Sequence, residues 1–350
     1  MRKLPYEIDL NKVNILLHLS EANNKIGELN GVLKLLPNPK ILLNAVILGE
    51  AKASSEIENI FTTYDELYKE MTSEYDNQSA KEVLRYREAI NYASEIVKKR
   101  EMITTNDIVS IQKIIEPNKG GIRKLPGTVI KNMKTLEVVH TPPQSSLEII
   151  EYLDNLEKYI NDLNTTYDPL INMALIHYQF EMIHPFYDGN GRTGRILNVI
   201  YLLLKNKLEL PIIYLSKYIN ENKQEYYKLF SETQQDIENI EEFIVFMMNA
   251  IKETSVFTIN LINEINSEME KSENLIKEKL PKIYSQELVE AIYFEFYTKN
   301  EYFRNYLKIS RNTATSYLKQ LVENGFLIQE QVGKEIIYKN PKMFDLIDKW

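Results

Sequence analysis

The chain has 350 residues, of which 44% are apolar and 26% charged, so its composition is that of a globular protein rather than a disordered or fibrous one. It contains no cysteine, which excludes disulfides, thiol nucleophiles and cysteine-ligated zinc. The formal net charge of -8 argues against a general nucleic-acid binder, although it leaves room for a local basic site. No stretch is apolar enough to span a membrane, and the first residues lack the apolar core of a signal peptide, so we expect a cytoplasmic protein without a membrane partner.

Most of the chain is predicted to be helical, because apolar residues recur three and four positions apart and glycine is scarce. Clear examples are residues 24–36 and 237–251. Within residues 51–60, Ser54 and Glu58 are four positions apart and share one helix face. Taken alone, that spacing is typical of an ordinary polar helix surface.

Residues 127–140 hold the one clear strand signal in the first 280 residues. Two short β-branched stretches flank a polar turn at 131–135, which predicts a β-hairpin. Pro142 and Pro143 end this hairpin, and a helix is expected over 146–163.

A helix, a sharp turn and a second helix are predicted around the sequence HPFYDGNGRTGR. The apolar spacing of residues 169–183 predicts a buried helix that delivers His184 at its carboxyl end. Pro185 cannot continue that helix, so the chain must turn there. The next helix is expected over 192–204, directly after the stretch DGNG.

This turn combines residue types that suit phosphate chemistry. A glycine-rich turn that leads into a helix exposes backbone N–H groups to an anion, and the helix dipole adds partial positive charge. Arg192 and Arg195 are three residues apart and can bind phosphate oxygens bidentately. Asp188 offers one hard carboxylate for Mg²⁺, and His184, with a reference pKa of about 6.5, suits a general base for a hydroxyl nucleophile.

The sequence HPFYDGNGRTGR resembles, without a mismatch, the signature HPFx(D/E)GNGRxxR of Fic-domain proteins, which are mostly AMP-transferring enzymes. The resemblance implies a Fic-type helical bundle with a β-hairpin flap, ATP as substrate and Mg²⁺ as cofactor. His184 would deprotonate a Ser, Thr or Tyr hydroxyl of a protein target, which can be the chain itself. Asp188 would hold the Mg²⁺, and Phe186 would be the buried anchor of the loop. The implied nucleotide-binding residues are Gly189, Asn190, Gly191, Arg192, Thr193, Gly194, Arg195 and Tyr226.

Three further segments resemble parts of the same family. Gly121 and Arg123 before the hairpin, and the proline pair after it, resemble family landmarks. The hairpin would then be the flap, whose exposed edge could hold the target by strand addition, although an ordinary surface hairpin explains the pattern equally well. Residues 215–230 resemble the helix after the loop, where Tyr226 and Tyr227 would line the adenine pocket, although paired aromatic residues are also typical of a core.

The residues from Ser54 to Asn59 match the (S/T)xxxE(G/N) inhibitory motif of that family. By this resemblance, Glu58 and Ser54 are regulatory, and Glu58 would pair with Arg195, which should hold the γ-phosphate. ATP could then bind only in a non-productive pose until a ligand or a change of oligomer releases the inhibitory helix, expected at about 48–60. In some relatives the same glutamate supports removal of AMP, so de-AMPylation stays open.

Residues 285–350 are predicted to form a winged helix-turn-helix. Two short helices precede a third, which Ser310 caps and Gly325 ends, and an alternating segment with Gly333 at its turn follows as the wing. The region contains nine basic and nine acidic residues, whereas specific DNA binders normally show a basic stripe. Protein docking or assembly of a homodimer is therefore favoured, and DNA contacts from the start of the third helix remain a second option.

The predicted domains are an amino-terminal helical region (1–100), a Fic core (101–250), a connecting helix (251–284) and the winged helix (285–350). The leading hypothesis is an autoinhibited protein adenylyltransferase that releases pyrophosphate. A nucleotide-responsive transcriptional regulator that binds DNA through the winged helix is the second hypothesis. A toxin-like enzyme is the third.

Overall fold

The computed structural model describes residues 1–34, 36, 38–71, 75–131, 138–294 and 297–348. Within these residues the chain is mainly helical, which confirms the predicted fold class. None of the described helices combines the length and the apolar character that a membrane crossing needs. The α-helices of the described residues are, in chain order, α1 (Val13–Leu33), α2 (Pro39–Ile57), α3 (Tyr64–Glu70), α4 (Gln78–Arg100), α5 (Thr105–Ile115), α6 (Ser146–Asn161), α7 (Pro169–Ile183), α8 (Asn190–Leu204), α9 (Leu215–Glu221), α10 (Lys223–Gln235), α11 (Ile240–Lys279), α12 (Gln286–Phe294), α13 (Asn300–Leu307), α14 (Arg311–Glu323) and α15 (Pro341–Asp348). The strands are β1 (Ile130–Lys131), β2 (Val138–His140), β3 (Tyr297–Thr298), β4 (Ile328–Val332) and β5 (Glu335–Lys339).

Helices α7 and α8 form the centre of the fold and carry the HPFYDGNGRTGR segment. Helix α7 begins at Pro169, whose missing N–H is no loss in a first turn, and Asp168 caps it by accepting a hydrogen bond from the Leu170 N–H (2.8 Å). Every residue of α7 after Pro169 is buried, because the helix is apolar around most of its circumference and other helices surround it. Helices α6 and α11 pack against α7, while α4 and α5 pack against α8.

Helix α2 lies beside this centre and ends one residue before Glu58. Asn38 caps its start by accepting a hydrogen bond from the Lys40 N–H (3.1 Å), and Pro39 occupies its first position. Helix α2 packs against α4, α8 and α9. The inhibitory helix predicted at about 48–60 is therefore the second half of a longer helix.

A single helix of 40 residues, α11, joins the helical core to the carboxyl-terminal part of the chain. The boundary predicted at residue 250 lies inside this helix. Buried apolar residues continue across it at helical spacing, for example Ile251, Ile259 and Ile262, so nothing in the sequence interrupts the helix. The connecting helix predicted over 251–284 thus corresponds to the second half of α11, which ends at Lys279. Helix α1 packs along α11.

The carboxyl-terminal unit contains α12 to α15 and a small antiparallel sheet in the order β3-β5-β4. Ser310 caps α14 by accepting a hydrogen bond from the Thr313 N–H (3.1 Å), and Gly333 (φ 58) lies in the turn between β4 and β5. The first short helix of this unit is expected over residues 285–298, but α12 ends at Phe294. Tyr297 and the following threonine pair with β5 instead. Helix α15 is an addition to the expected elements. The winged-helix assignment and the domain bounds stay predictions.

Helix α3 anchors the segment that follows α2 to this carboxyl-terminal unit. Tyr68 is buried, and its ring centroid lies 5.1 Å from that of Tyr297 and 4.9 Å from that of Phe344. An alternating cluster of ion-paired charges connects α3 with β4 and β5; its members are Asp65, Lys69, Glu330 and Lys339. The chain after Glu58 is therefore fixed to a distant part of the sequence by both apolar and ionic contacts.

We expect replacement of Tyr68 by alanine to lower the free energy of unfolding by about 3 kcal/mol, because it removes a buried aromatic ring from a packed cluster. Urea denaturation followed by circular dichroism measures the change. Tyr302→Ala is the control. Tyr302 lies in the carboxyl-terminal unit and is 49% exposed, so we expect a loss of free energy of unfolding below about 1 kcal/mol. Equal losses in the two variants would contradict the anchoring role of Tyr68.

Candidate active site

The segment between α7 and α8 is a tight turn that is held by its own side chains. His184 ends α7 with a left-handed backbone (φ 46), and Gly189 begins α8 in the same region (φ 77). Phe186 is fully buried under the turn, as predicted for an anchor. The Asn190 amide braces it, because its Oδ1 accepts a hydrogen bond from the Phe186 N–H and its Nδ2 donates to the Phe186 carbonyl, both at 2.9 Å. The side chain of Asn190 therefore stabilises the turn, whereas the sequence analysis assigned it to the nucleotide.

The first turn of α8 lies where the sequence predicts an anion site. Its backbone N–H groups have no acceptors within the helix, and the helix dipole favours a negative charge there. A side chain at Gly191 would force the ion pair to shift, because a Cβ atom would lie 2.5 Å from Glu58 Oε1 and 2.9 Å from Arg195 Nη1. Glycine at this position thus lets the Glu58 carboxylate sit directly against the backbone of α8.

Two residues that were predicted to bind the nucleotide lie on the buried side of α8. Thr193 is fully buried. A Cβ atom on Gly194 would lie 2.5 Å from Glu181 Oε1 and 3.0 Å from the Phe180 ring, so this glycine allows close approach of α8 to α7. The structure therefore gives Thr193 and Gly194 a packing environment.

Arg195 is buried and donates its hydrogen bonds to acceptors at the end of α2. Its Nε donates to Ser54 Oγ (2.8 Å), and its Nη2 donates to the Ser54 carbonyl (2.9 Å) and to Glu58 Oε1 (2.8 Å). Burial alone would raise the pKa of Glu58, but the Arg195 guanidinium outweighs it and holds that pKa below its ordinary value. The ion pair expected from the sequence is thus present, and both residues of the predicted regulatory motif contribute to it.

Arg192 is also buried and faces carboxylates that the sequence analysis did not identify. Its Nη2 donates to Glu116 Oε1 (2.6 Å), and its Nη1 lies 3.5 Å from Glu82 Oε2. Its Nη2 is 3.6 Å from Asp188 Oδ1, and Asp188 Oδ2 accepts a hydrogen bond from Lys119 Nζ (2.6 Å). Both arginines of the motif are therefore paired with protein carboxylates.

Asp188 is the residue that could hold a metal ion. Burial alone would raise its pKa, but the hydrogen bond from Lys119 and the one from the Gly189 N–H hold it below the ordinary value, so the carboxylate is ionised. Among the described residues, no group of three or more acidic or histidine side chains is placed to hold a metal. One ionised carboxylate beside a phosphate site fits Mg²⁺, which takes few protein ligands and completes its shell with phosphate oxygens and water.

His184 is a neutral imidazole at the mouth of this site. Burial disfavours its charged form and, together with the Arg123 guanidinium, lowers its pKa to about 4. The Glu58 carboxylate acts in the opposite direction. At neutral pH the ring is therefore unprotonated and able to accept a proton from a hydroxyl group.

The two tyrosines proposed for an adenine pocket have different environments. Tyr226 is buried, its hydroxyl bonds to His177 Nε2 (2.9 Å), and its ring centroid lies 6.0 Å from that of Phe243. Tyr227 is 47% exposed, and burial followed by the Glu58 charge raises its pKa to about 12. The structure thus gives Tyr226 a core environment, and Tyr227 is the member of the pair that borders the ion-paired site.

The predicted flap is present as an antiparallel pair, β1 and β2, in which Ile130 faces His140. The turn of this hairpin, 132–137, lies outside the described residues. His140 fixes β2 to α7, because its Nε2 bonds to the Met182 carbonyl (2.9 Å). The hydroxyl of Tyr187 accepts hydrogen bonds from the backbone N–H groups of the two residues that follow Arg123, at 2.9 and 3.0 Å. The hairpin is therefore tied to α7 on one side and, on the other, to the turn between α7 and α8, which is the candidate catalytic turn.

Some neighbours that the sequence does not reveal come from segments far from the motif, whereas Glu181 lies three residues before His184 on α7. Gln112 donates to the Asp188 carbonyl (3.0 Å) and accepts from the Gly121 N–H (2.9 Å), so it connects the end of α5 to the turn. Glu181 is buried, and burial raises its pKa to about 7. No local pattern marks these residues, although a polar residue within an apolar helix, such as Glu181, is a usable signal.

Comparison with known families finds three matches along the chain. The Fic/DOC family N-terminal model matches residues 16–95, and the Fic/DOC family model matches residues 102–202. These two together cover more than half of the chain. The model named protein adenylyltransferase SoFic-like, C-terminal domain, matches residues 269–343.

Individual relatives share limited identity with the chain. A protein adenylyltransferase Fic from Nematostella vectensis is 33% identical over 125 residues, which are 33% of this chain and 27% of that protein. A protein adenylyltransferase fic-1 from Caenorhabditis elegans is 33% identical over 95 residues, which are 26% of this chain and 19% of that protein. The chain thus matches less than a third of the length of these relatives.

Solved structures share the fold. A Fic family protein from Desulfovibrio desulfuricans G20 has a TM-score of 0.59 at 18% identity, over 96% of this chain and 97% of that one. Fic-1 from C. elegans has a TM-score of 0.52 at 20% identity, over 74% and 73% of the two chains. At these identities the likeness concerns the fold alone.

We expect the Glu58–Arg195 ion pair to stabilise the fold at neutral pH and to lose this effect in acid. Because the pKa of Glu58 is lower in the folded chain than in the unfolded one, the contribution is complete above the unfolded value of about 4.3 and disappears as the pH falls through the lower folded value. Glu58→Gln should lower the free energy of unfolding by about 1–2 kcal/mol at pH 7, less than for a fully buried pair because the Glu58 side chain is 36% exposed.

Urea denaturation of both proteins at several pH values measures this difference. It should shrink towards zero at the acidic end, where Glu58 is protonated in both states. Glu56→Gln is the control, since Glu56 pairs with Lys52 and does not touch Arg195. A difference that stays constant with pH would contradict the assignment.

Proposed function

The chain belongs to the Fic/DOC family, and we propose that it is an autoinhibited protein adenylyltransferase. It transfers AMP from ATP to a Ser, Thr or Tyr hydroxyl of a protein and releases pyrophosphate. The observation that carries the proposal is the position of Glu58. Its carboxylate lies against Gly191 and on Arg195, where the N–H groups of α8 and the guanidinium offer a place to a phosphate.

The proposed reaction needs a base, an anion site and a fixed nucleophile. His184 takes the proton from the target hydroxyl through a ring nitrogen, and the oxygen attacks the α-phosphorus. The bond between that phosphorus and the oxygen leading to the β-phosphate breaks, so pyrophosphate leaves with the electron pair. The charge of a bound triphosphate would raise the pKa of His184 from its low resting value and so strengthen the base.

The phosphate-binding residues act by position and charge. The backbone of Gly189, Asn190 and Gly191 surrounds the α- and β-phosphates, and Arg192 and Arg195 neutralise the terminal phosphates. Asp188 would hold Mg²⁺, which supplies charge neutralisation to the phosphate oxygens when it is bound. In the resting chain Asp188 Oδ2 accepts a hydrogen bond from Lys119, so a bound metal would share this carboxylate with the ammonium or displace it.

Glu58 acts as the brake in this proposal. As long as it holds Arg195, the γ-phosphate lacks its guanidinium and ATP cannot take the reactive pose. Any partner that binds the released form more tightly shifts the equilibrium towards activity. Low turnover of the resting protein is an expected property of this arrangement.

The carboxyl-terminal unit is proposed to dock a protein, either the target or a second copy of the chain. Its basic and acidic residues are equal in number, which does not favour DNA. Its family match is to a domain of protein adenylyltransferases, so the transcriptional-regulator and toxin-like alternatives gain no support. A cytoplasmic location, where ATP and protein targets are available, completes the proposal.

Transfer of label from [α-³²P]ATP to protein tests the function directly. We expect Glu58→Gly to increase transfer by roughly 10- to 100-fold, because it frees a charge-assisted contact to phosphate. In that background, His184→Ala should reduce transfer by about 10²- to 10⁴-fold through loss of the base. Mass spectrometry of the labelled proteins, including the chain itself, identifies the modified hydroxyl.

Glu56→Gly is the matched control, because it makes the same change two residues earlier and leaves the Arg195 contacts intact. Its activity should stay at the resting level. If Glu58→Gly is no more active than this control, the brake is refuted. If label is transferred from [γ-³²P]ATP and not from [α-³²P]ATP, the reaction is phosphorylation and the proposed AMP transfer is wrong.

A further inference from the structure

Arg123 is a fully buried arginine that forms no ion pair with an acidic side chain among the described residues, although the more distant charge of Glu148 acts on it. It precedes the flap and lies behind the catalytic turn. Its hydrogen bonds go to backbone carbonyls: Nε donates to the His184 carbonyl (2.9 Å) and Nη2 to the Pro143 carbonyl. Burial lowers its pKa below the ordinary value of arginine. Burying a charge without a direct ion pair is costly, so we expect Arg123 to have a role that requires it at this position.

The contacts of Arg123 join three segments that surround the reacting position. Its side chain holds the carbonyl of His184, whose left-handed backbone (φ 46) is strained for a residue other than glycine. Its backbone N–H donates to the Pro185 carbonyl (2.9 Å), beside a bridge between Ile122 and Phe186. Through Pro143 it reaches the chain that leaves the flap.

We propose that Arg123 is a positioning residue that holds His184 in its left-handed conformation and ties both ends of the flap to the catalytic turn. For its effect on AMP transfer, the inference rests on the proposed function. The contacts themselves do not, because they exist in the resting chain. Lysine cannot replace arginine here, since one ammonium lacks the forked geometry that reaches two carbonyls from different segments.

The same guanidinium also acts on the His184 ring. The charged or titratable groups around that ring are Arg123, His140, Glu58 and Glu181. Arg123 and His140 lower the pKa of His184, while Glu58 raises it. When Glu58 leaves, burial and the fixed positive charge of Arg123 keep the pKa of the imidazole low. Removing that charge should move the pKa of His184 upward, towards the ordinary value.

An NMR titration tests the electrostatic part without any need for activity. The chain has four histidines (His18, His140, His177 and His184), so ring resonances of ¹³C,¹⁵N-histidine protein can be assigned with His184→Ala. We expect Arg123→Gln to raise the pKa of His184 by about one unit, and Arg123→Lys to leave it nearly unchanged. Lys124→Gln, a neutralisation of the exposed next residue, is the control and should cause no shift. An unchanged pKa in Arg123→Gln would overturn this role.

Transfer assays in the Glu58→Gly background test the positioning part. Arg123→Lys keeps the charge but loses the fork, so we expect kcat to fall by about 10²-fold while the pH profile keeps its acidic limb. Full activity of Arg123→Lys would overturn the positioning role, and because this variant keeps the charge it tests positioning even if Arg123→Gln fails to fold. If Glu58→Gly itself transfers no AMP, the proposed function fails, whereas the NMR comparison still decides what Arg123 does to His184.

Discussion

The ion pair between Glu58 and Arg195 connects residues that are 137 positions apart, and the arrangement of the site depends on it. Arg195 is buried on α8, and the Glu58 carboxylate is the anion that compensates its charge. The end of α2 supplies this anion, and Ser54 accepts two further hydrogen bonds from the guanidinium through its Oγ and its carbonyl. A nucleotide would bring a replacement anion, so the exchange never leaves the charge bare. The ion pair is therefore both a stabilising contact of the fold and the occupant of the phosphate site.

Arg192 and Asp188 are also paired with residues of opposite charge in the chain. Arg192 is held by Glu116, and Asp188 is held by Lys119. All the strong charges of the turn are thus compensated within the chain before any ligand arrives. If a triphosphate binds as proposed, it exchanges these partners for its phosphate oxygens. The mobility needed for this exchange is confined to long side chains, because the backbone of the turn is fixed by Asn190 and Phe186.

The sequence predicts those parts of the site that are contiguous in the chain. Helix α7 has the predicted bounds, α8 begins two residues earlier than expected, and the Glu58–Arg195 pair is where the inhibitory motif implied it. Side-chain direction was harder, because it depends on which face of α8 or α10 is buried, and the spacing of Thr193 or Tyr226 does not tell this. Partners such as Glu116 come from tertiary packing of α5 against α8, which leaves no local trace. The long helix α11 shows the same limit, because the more polar composition after residue 250 does not mark the end of the helix.

The contact between α3 and the carboxyl-terminal unit has a practical consequence for truncated proteins. Helix α3 begins six residues after Glu58, and the ring of Tyr68 relies on Tyr297 and Phe344 for much of its burial. A fragment that stops at the end of α11 would expose this ring and remove Lys339 from Asp65. The chain downstream of Glu58 would then keep the packing of α3 against α4 but lose its contacts with the carboxyl-terminal unit. Enzymology on such a fragment would describe a looser regulatory state than that of the intact molecule.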